Sequence, residues 1–183
     1  MATIHLMFLM KSNFTPKSLV FSLVMVSVLV LGGCSSNNDQ AAVRDYNNSI
    51  VQIQKQMLQK AEDSSKIFEE KELDPVKATS QMEGILAEVN KSRDQFKAIK
   101  MPKGAEDLAD GMDHFFVVEV DGLNDVIASL KNLKDSSTQT DVDIFMNNLD
   151  AFSKKENDAL DIFYQSQQKV ASRYGQKIDT SEN

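Results

Sequence analysis

The chain has no tryptophan, one cysteine, three prolines and two histidines in 183 residues. A single cysteine excludes an internal disulfide, so whatever fold forms must close on packing alone. Prolines this rare, with 42% hydrophobic residues, leave room for one domain with a real core and too little for two. No block of clustered Lys and Arg occurs and the net charge is −7, which argues against nucleic acid, because phosphate recognition needs concentrated positive charge. With only His5 and His114, the paired Glu-x-x-His motifs of a di-iron bundle are absent. So are the His-Glu-x-x-His zinc motif, the haem attachment pattern and the phosphate-binding loop. The lack of tryptophan by itself excludes nothing.

What is present begins at the amino terminus. Lys11 and Lys17 give a positive start free of acids, and Leu19 to Leu31 is apolar apart from Ser22 and Ser27. The small residues Gly32 and Gly33 then precede Cys34. Those three parts are the plan of a secretory signal. The apolar run of 13 residues is shorter than the roughly 20 that a spanning helix requires, so a permanent transmembrane helix is the weaker reading. Met10 opens MKSNFTPK, a more typical signal start than Met1.

From Lys11 to about Ser36 the chain resembles bacterial lipoprotein precursors, and Leu31-Gly32-Gly33-Cys34 resembles their lipobox. The resemblance implies a diacylglyceryl group on Cys34, cleavage between Gly33 and Cys34 by the lipoprotein signal peptidase, and acylation of the new amino terminus. Two or three acyl chains hold a protein firmly on a bilayer without a spanning helix, since each buried methylene contributes about 0.8 kcal/mol. Ser35 follows the cysteine where an aspartate would favour the inner membrane, so the same resemblance favours the outer membrane or cell surface. Acylation would also consume the one thiol, an oxidation liability in an exported protein.

Cleavage takes away two lysines and no acid, so the mature chain carries −9. Residues 34–40 read as a polar tether, 41–178 as the folded domain and 179–183 as a disordered tail. Four helices follow from apolar residues at alternating spacings of three and four. Helix A, over 41–73, aligns Val43, Tyr46, Ile50, Ile53, Met57, Ala61, Ser64 and Phe68. Asp74-Pro75 marks a cap and first turn, and helix B, over 75–99, aligns Ala78, Met82, Ile85, Val89, Ser92, Phe96 and Ile99. Met101-Pro102-Lys103-Gly104 breaks the chain before helix C, over 105–133, whose broad face holds Leu108, Met112, Phe115, Phe116, Val120, Leu123, Ile127 and Leu130. After the polar stretch 134–140, with Thr140 as cap, helix D over 141–174 aligns Val142, Phe145, Leu149, Phe152, Ala159, Phe163, Val170 and Tyr174, and Gly175 suits its end. Phe115 to Val120 is rich in β-formers, but no partner strand exists elsewhere, so it is read as helix. Gly111 and Gly122 suit close helix packing.

Amphipathic helices on short connections bury their faces best as an all-α, antiparallel up-down-up-down four-helix bundle. The A–B and C–D connections should lie at the end away from the bilayer. The B–C turn and the C-terminus should lie near it. Counting from the far end, Lys60, Asn90, Glu119 and Glu156 fall at one level, and Glu156 interrupts the stripe between Phe152 and Ala159. Long side chains at stripe edges ordinarily reach out to water, and that is the expectation for these four. The alternative is a buried polar layer that fixes register or binds a cation. His114, between Asp110 and the apolar face of its own helix, reads as a partly exposed surface histidine rather than a ligand or base. The phenylalanines and methionines at helical spacing read as core, and the acidic surface as a solvated face that keeps the domain off anionic lipid.

No cofactor and no catalytic residue is expected. The reading is a non-enzymatic, lipid-anchored helical module of the cell envelope, tied to the membrane through Cys34 and acting on a protein partner. A ligand- or metal-binding bundle with its site in the core stands second and an enzyme last.

Overall fold

The computed structural model describes residues 38–65, 74–134 and 136–174. The signal segment with Gly33 and Cys34, the stripe position Phe68, the helix stop Gly175 and the tail 179–183 lie outside the described residues. So do the side chains of Ala61 and Ser64.

Four helices make up the described chain: α1 (Asn38–Ser65), α2 (Pro75–Ala98), α3 (Glu106–Asn132) and α4 (Gln139–Arg173). Each begins and ends for a local reason. Helix α1 starts three residues before the expected Ala41, with Asp39 in its first turn, where a negative charge favours the positive end of the helix dipole. The Asp74 carboxylate accepts from the N–H groups of Val76 (2.9 Å) and Lys77 (3.2 Å), and Pro75 occupies the first helical position, where no N–H is needed. Helix α2 stops at Ile99, which has turned to an extended backbone ahead of Pro102. Gly104 then takes φ +91°, a left-handed conformation natural to glycine.

The start of α4 corrects the expected cap. Thr138, not Thr140, is the N-cap: its hydroxyl accepts from the N–H of Asp141, and the Asp141 carboxylate accepts from the N–H of Thr138 at 2.7 Å. A capping box needs its reciprocal partner at the third helical position. Thr138 has Asp141 there, and the helix therefore starts two residues earlier.

The helices run antiparallel in sequence order. Between α3 and α4, Ser129 faces Asn148 (2.7 Å), Gly122 faces Phe152 and Asp107 faces Lys169 (2.6 Å). Between α2 and α3, Lys131 pairs with Glu83 at 2.7 Å and Arg93 with Asp113 at 3.3 Å. Lys60 of α1 meets Glu88 of α2 at 2.6 Å. The loop is closed by a buried hydrogen bond from the Gln167 amide of α4 to Asn47 Oδ1 of α1, 2.9 Å. Exposed ion pairs of this kind contribute little, typically ~0–1 kcal/mol each, so the bundle rests on its core.

That core follows the stripes read from the sequence. On α2, Ala78, Met82, Ile85, Val89, Ser92 and Phe96 are all buried, as are Val142, Phe145, Leu149, Phe152, Ala159, Phe163 and Val170 on α4. Ile53, Ile99, Val120 and Tyr174 are half-buried at its margin. Phe115 to Val120 is helical, because Phe115 and Phe116 find their partners across helices: Phe116 packs 5.7 Å from Phe96, whose ring lies 6.5 Å from Tyr46. Gly111 and Gly122 let α4 come close. A Cβ at position 111 would stand 3.3 Å from the Phe163 backbone, and one at position 122 would overlap the Phe152 ring.

The start of α1, the α2–α3 connection and the end of α4 share one end of the bundle. Val43 and the Tyr174 ring flank Gly104, and the Arg173 guanidinium reaches the Gly104 carbonyl at 3.5 Å.

Candidate functional site

The stripes of α3 and α4 each carry one carboxyl at a position where an apolar residue would continue the pattern. Phe115, Glu119, Leu123 and Val126 succeed one another at gaps of four and three, as do Phe152, Glu156, Ala159 and Phe163. Close approach of the two helices at Gly122 brings the carboxyls together inside the bundle. Glu119 is 0% exposed and Glu156 4%. The expectation that these chains reach water is therefore overturned. The bundle surrounds their positions on all sides, and a glutamate stem of two methylenes is too short to cross it.

Neither oxygen of Glu119, nor Oε1 of Glu156, receives a hydrogen bond from any other side chain or backbone group among the described residues. The two carboxyls can satisfy one another only if one keeps a proton, because two carboxylates offer acceptors and no donor. Burial pushes Glu119 well above the usual carboxylate range, and the neighbouring Glu156 charge and hydrogen bond push the same way. Burial pushes Glu156 up to about 7, while the hydrogen bond from Glu119 draws it back down. Burial thus favours a state in which the pair as a whole keeps a proton that ordinary carboxylates would release.

The other members of the expected layer are elsewhere. Lys60 is exposed and held by Glu88 on the neighbouring helix, and Asn90 is exposed and donates to the Leu86 carbonyl at 3.0 Å. Equal height along the bundle does not imply equal angle around each helix, and these two face outward. His114 is exposed, away from the carboxyl pair.

Three buried amides complete the polar interior: Asn47, Gln54 and Gln167. Gln167 donates to Asn47, leaving Asn47 Nδ2, Gln54 Nε2 and Gln167 Oε1 without partners among the described residues. They were not read from the sequence, although their signal was there. Val43, Asn47, Ile50, Gln54 and Met57 keep the three-four spacing, and Gln167 stands in the gap between Phe163 and Val170. The antiparallel register set by Asn47 and Gln167 puts Gln54 within about one turn of the height of Glu156.

A groove of about 410 Å³ opens between α3 and α4 on the outer side of Gly122 and Phe152, with Asp125, Ser129, Asn148 and Lys155 among its walls. Neither Glu119, Glu156 nor His114 lines it. Phe152, lying on Gly122, belongs both to the groove wall and to the buried stripe that leads to Glu156. Among the described residues no group of three or more His, Cys, Asp or Glu stands ready to hold a metal ion. No described helix is long and apolar enough to cross a membrane. Chemically the pair can share, take up or release a proton inside an apolar shell. No protein-family model, no curated protein and no solved structure matches the chain.

Proposed function

We propose that the chain is a bacterial cell-envelope lipoprotein, anchored through acylated Cys34, whose four-helix domain works as a non-enzymatic interaction or structural module. The observation that carries this reading is Leu31-Gly32-Gly33-Cys34 directly behind a 13-residue apolar run and directly ahead of a folded helical domain. Only the three residues 35–37 separate Cys34 from the first described residue of α1, so the anchor cannot lie farther than about 14 Å from that helix end. Acyl chains on Cys34 would therefore hold the end formed by the start of α1, the α2–α3 connection and the end of α4 toward the bilayer. The outer membrane or cell surface is favoured, because Ser35 stands after the cysteine.

Acyl labelling of the wild-type chain and of Cys34→Ala tests the anchor. Labelled wild type and unlabelled, membrane-released variant are expected; an unlabelled wild type would overturn the reading. Protease treatment of whole and lysed cells then separates the cell surface from the periplasmic side.

One observation favours a second reading, a core that binds a cation or small ligand: the carboxyl pair leaves three buried oxygens without donors among the described residues. A rise in melting temperature with Mn²⁺, Ca²⁺ or Zn²⁺ that disappears in Glu119→Gln would establish it. Unchanged melting would leave the pair as a shared-proton element of the core.

A further inference from the structure

Three exposed lysines fall within seven residues of one another at the end of the bundle that carries the start of α1. Lys97 in the last turn of α2, and Lys100 and Lys103 in the connection to α3, are all exposed. None of the three makes a hydrogen bond or ion pair among the described residues. Between them stands Met101, 46% exposed, one of the few large apolar side chains open to solvent. The nearby acids are largely engaged: Asp107 is held by Lys169 and Arg173, Glu106 accepts from the Gly104 N–H at 3.1 Å, and Asp45 pairs with Arg44. Asp39, Asp94 and Asp110 are exposed acids of the same end with no basic partner shown among the described residues.

We infer that Lys97, Lys100, Met101 and Lys103 form a second membrane contact, a surface for anionic phospholipid headgroups that sets the bundle upright on the bilayer holding its anchor. The inference rests on the lipoprotein reading for where the bilayer lies, and on the structure for which residues meet it. Free ammonium groups beside an exposed thioether match a surface that presents phosphate oxygens above acyl chains. The acidic remainder of the domain is repelled by the same surface, so the contact is confined to this end. Three lysines at a strongly anionic surface multiply the bound population on the order of 100-fold, and salt screens the effect.

The described helices bury one core among themselves, so a chain starting at Cys34 retains the bundle. Because Cys34 is the only cysteine, a maleimide lipid can couple that chain to vesicles at the natural anchor position, whether or not cells acylate it. Amide exchange across residues 99–105 is compared on phosphatidylcholine vesicles and on vesicles with about 30% phosphatidylglycerol, in low salt and at roughly 0.5 M. Slowing severalfold on the anionic vesicles is expected, with loss in high salt and in the triple variant Lys97→Glu, Lys100→Glu, Lys103→Glu. The same charge change at exposed Lys55, Lys134 and Lys154 should leave it intact, and unchanged exchange in α4 checks the fold. Equal exchange on both lipids, or protection that survives in the triple variant, would overturn the contact. Acyl labelling in cells reports on Cys34 separately: a labelled chain indifferent to the lysines refutes the contact alone, and an unlabelled chain with lysine-dependent protection supports the contact while refuting the anchor.

Discussion

Glu119 and Glu156 occupy core positions that an apolar residue would fill without any pH dependence, and their burial makes the protein's stability depend on pH in an unusual direction. Both folded-state values lie above those of an unfolded glutamate. A raised value means that the folded state binds protons more tightly than the unfolded one, so the contribution is fully present below about pH 4.5 and is lost as pH rises through the folded value, about 7 for Glu156. Glu156 alone is expected to lower the unfolding free energy on the order of 3 kcal/mol between pH 4.5 and 7.5, and Glu119 adds to the fall in the same direction. Half-buried Asp107 and Glu88, whose values are lowered by their lysine partners, act in the opposite direction and only in acid. Urea unfolding of wild type and Glu119→Gln at several pH values checks this. The amide is a permanent donor to Glu156, so the variant should show a flatter profile, and an equally steep one would mean that the pair is not the cause. Glu156 was visible in the sequence as a break in a stripe. Its burial was not, because the sequence shows the angle of a residue on its helix but not how closely the facing helix approaches.

Helices α3 and α4 differ from α2 in how they use glycine, and substitutions can measure the difference. At Gly84 of α2 an added Cβ meets nothing within 4 Å, so Gly84→Ala should stabilise by about 0.5–1 kcal/mol through the entropy of the unfolded chain. At Gly122 the same methyl meets the Phe152 ring, and Gly122→Ala should destabilise by about 1–3 kcal/mol despite the better helix propensity of alanine. Thermal melts of the two variants should move in opposite directions; a stabilised Gly122→Ala would show that the helices are not locked there. Thr138→Ala should cost about 1 kcal/mol and Thr140→Ala much less, which distinguishes the observed cap from the one first expected. The Asp74-Pro75 cap was legible because its residues are adjacent. The choice between Thr138 and Thr140 turns on which one finds Asp141 three residues on, and both are plausible caps by residue type alone.

For the whole molecule, the antiparallel order places the start of α1 beside the α2–α3 connection, so an anchor at Cys34 and the lysines of that connection would act at one end. Helix α4, with 35 residues, spans about 52 Å, which sets how far the opposite end would stand from the bilayer. Cys34→Ala is expected to move the protein from the membrane to the soluble fraction with its melting temperature unchanged, since the core formed by the described residues lies after it in the chain. Fractionation combined with a thermal melt of the soluble variant checks both halves.

The sequence by itself determined the four described helices, most of their described stripe residues and the Asp74 cap, because periodicity and capping depend on neighbours a few positions apart. It also contains the lipobox-like stretch on which the proposed anchor depends. Only the tertiary structure decided that Glu119 and Glu156 are buried together in the interior while Lys60 and Asn90 at the same height face water. It also joined Asn47 to Gln167 across 120 positions and left Lys97, Lys100 and Lys103 without partners among the described residues. The reason is common to all three: whether a polar side chain is buried, paired or free depends on what the facing helix brings to it, and that distance is set by packing between segments far apart in the chain.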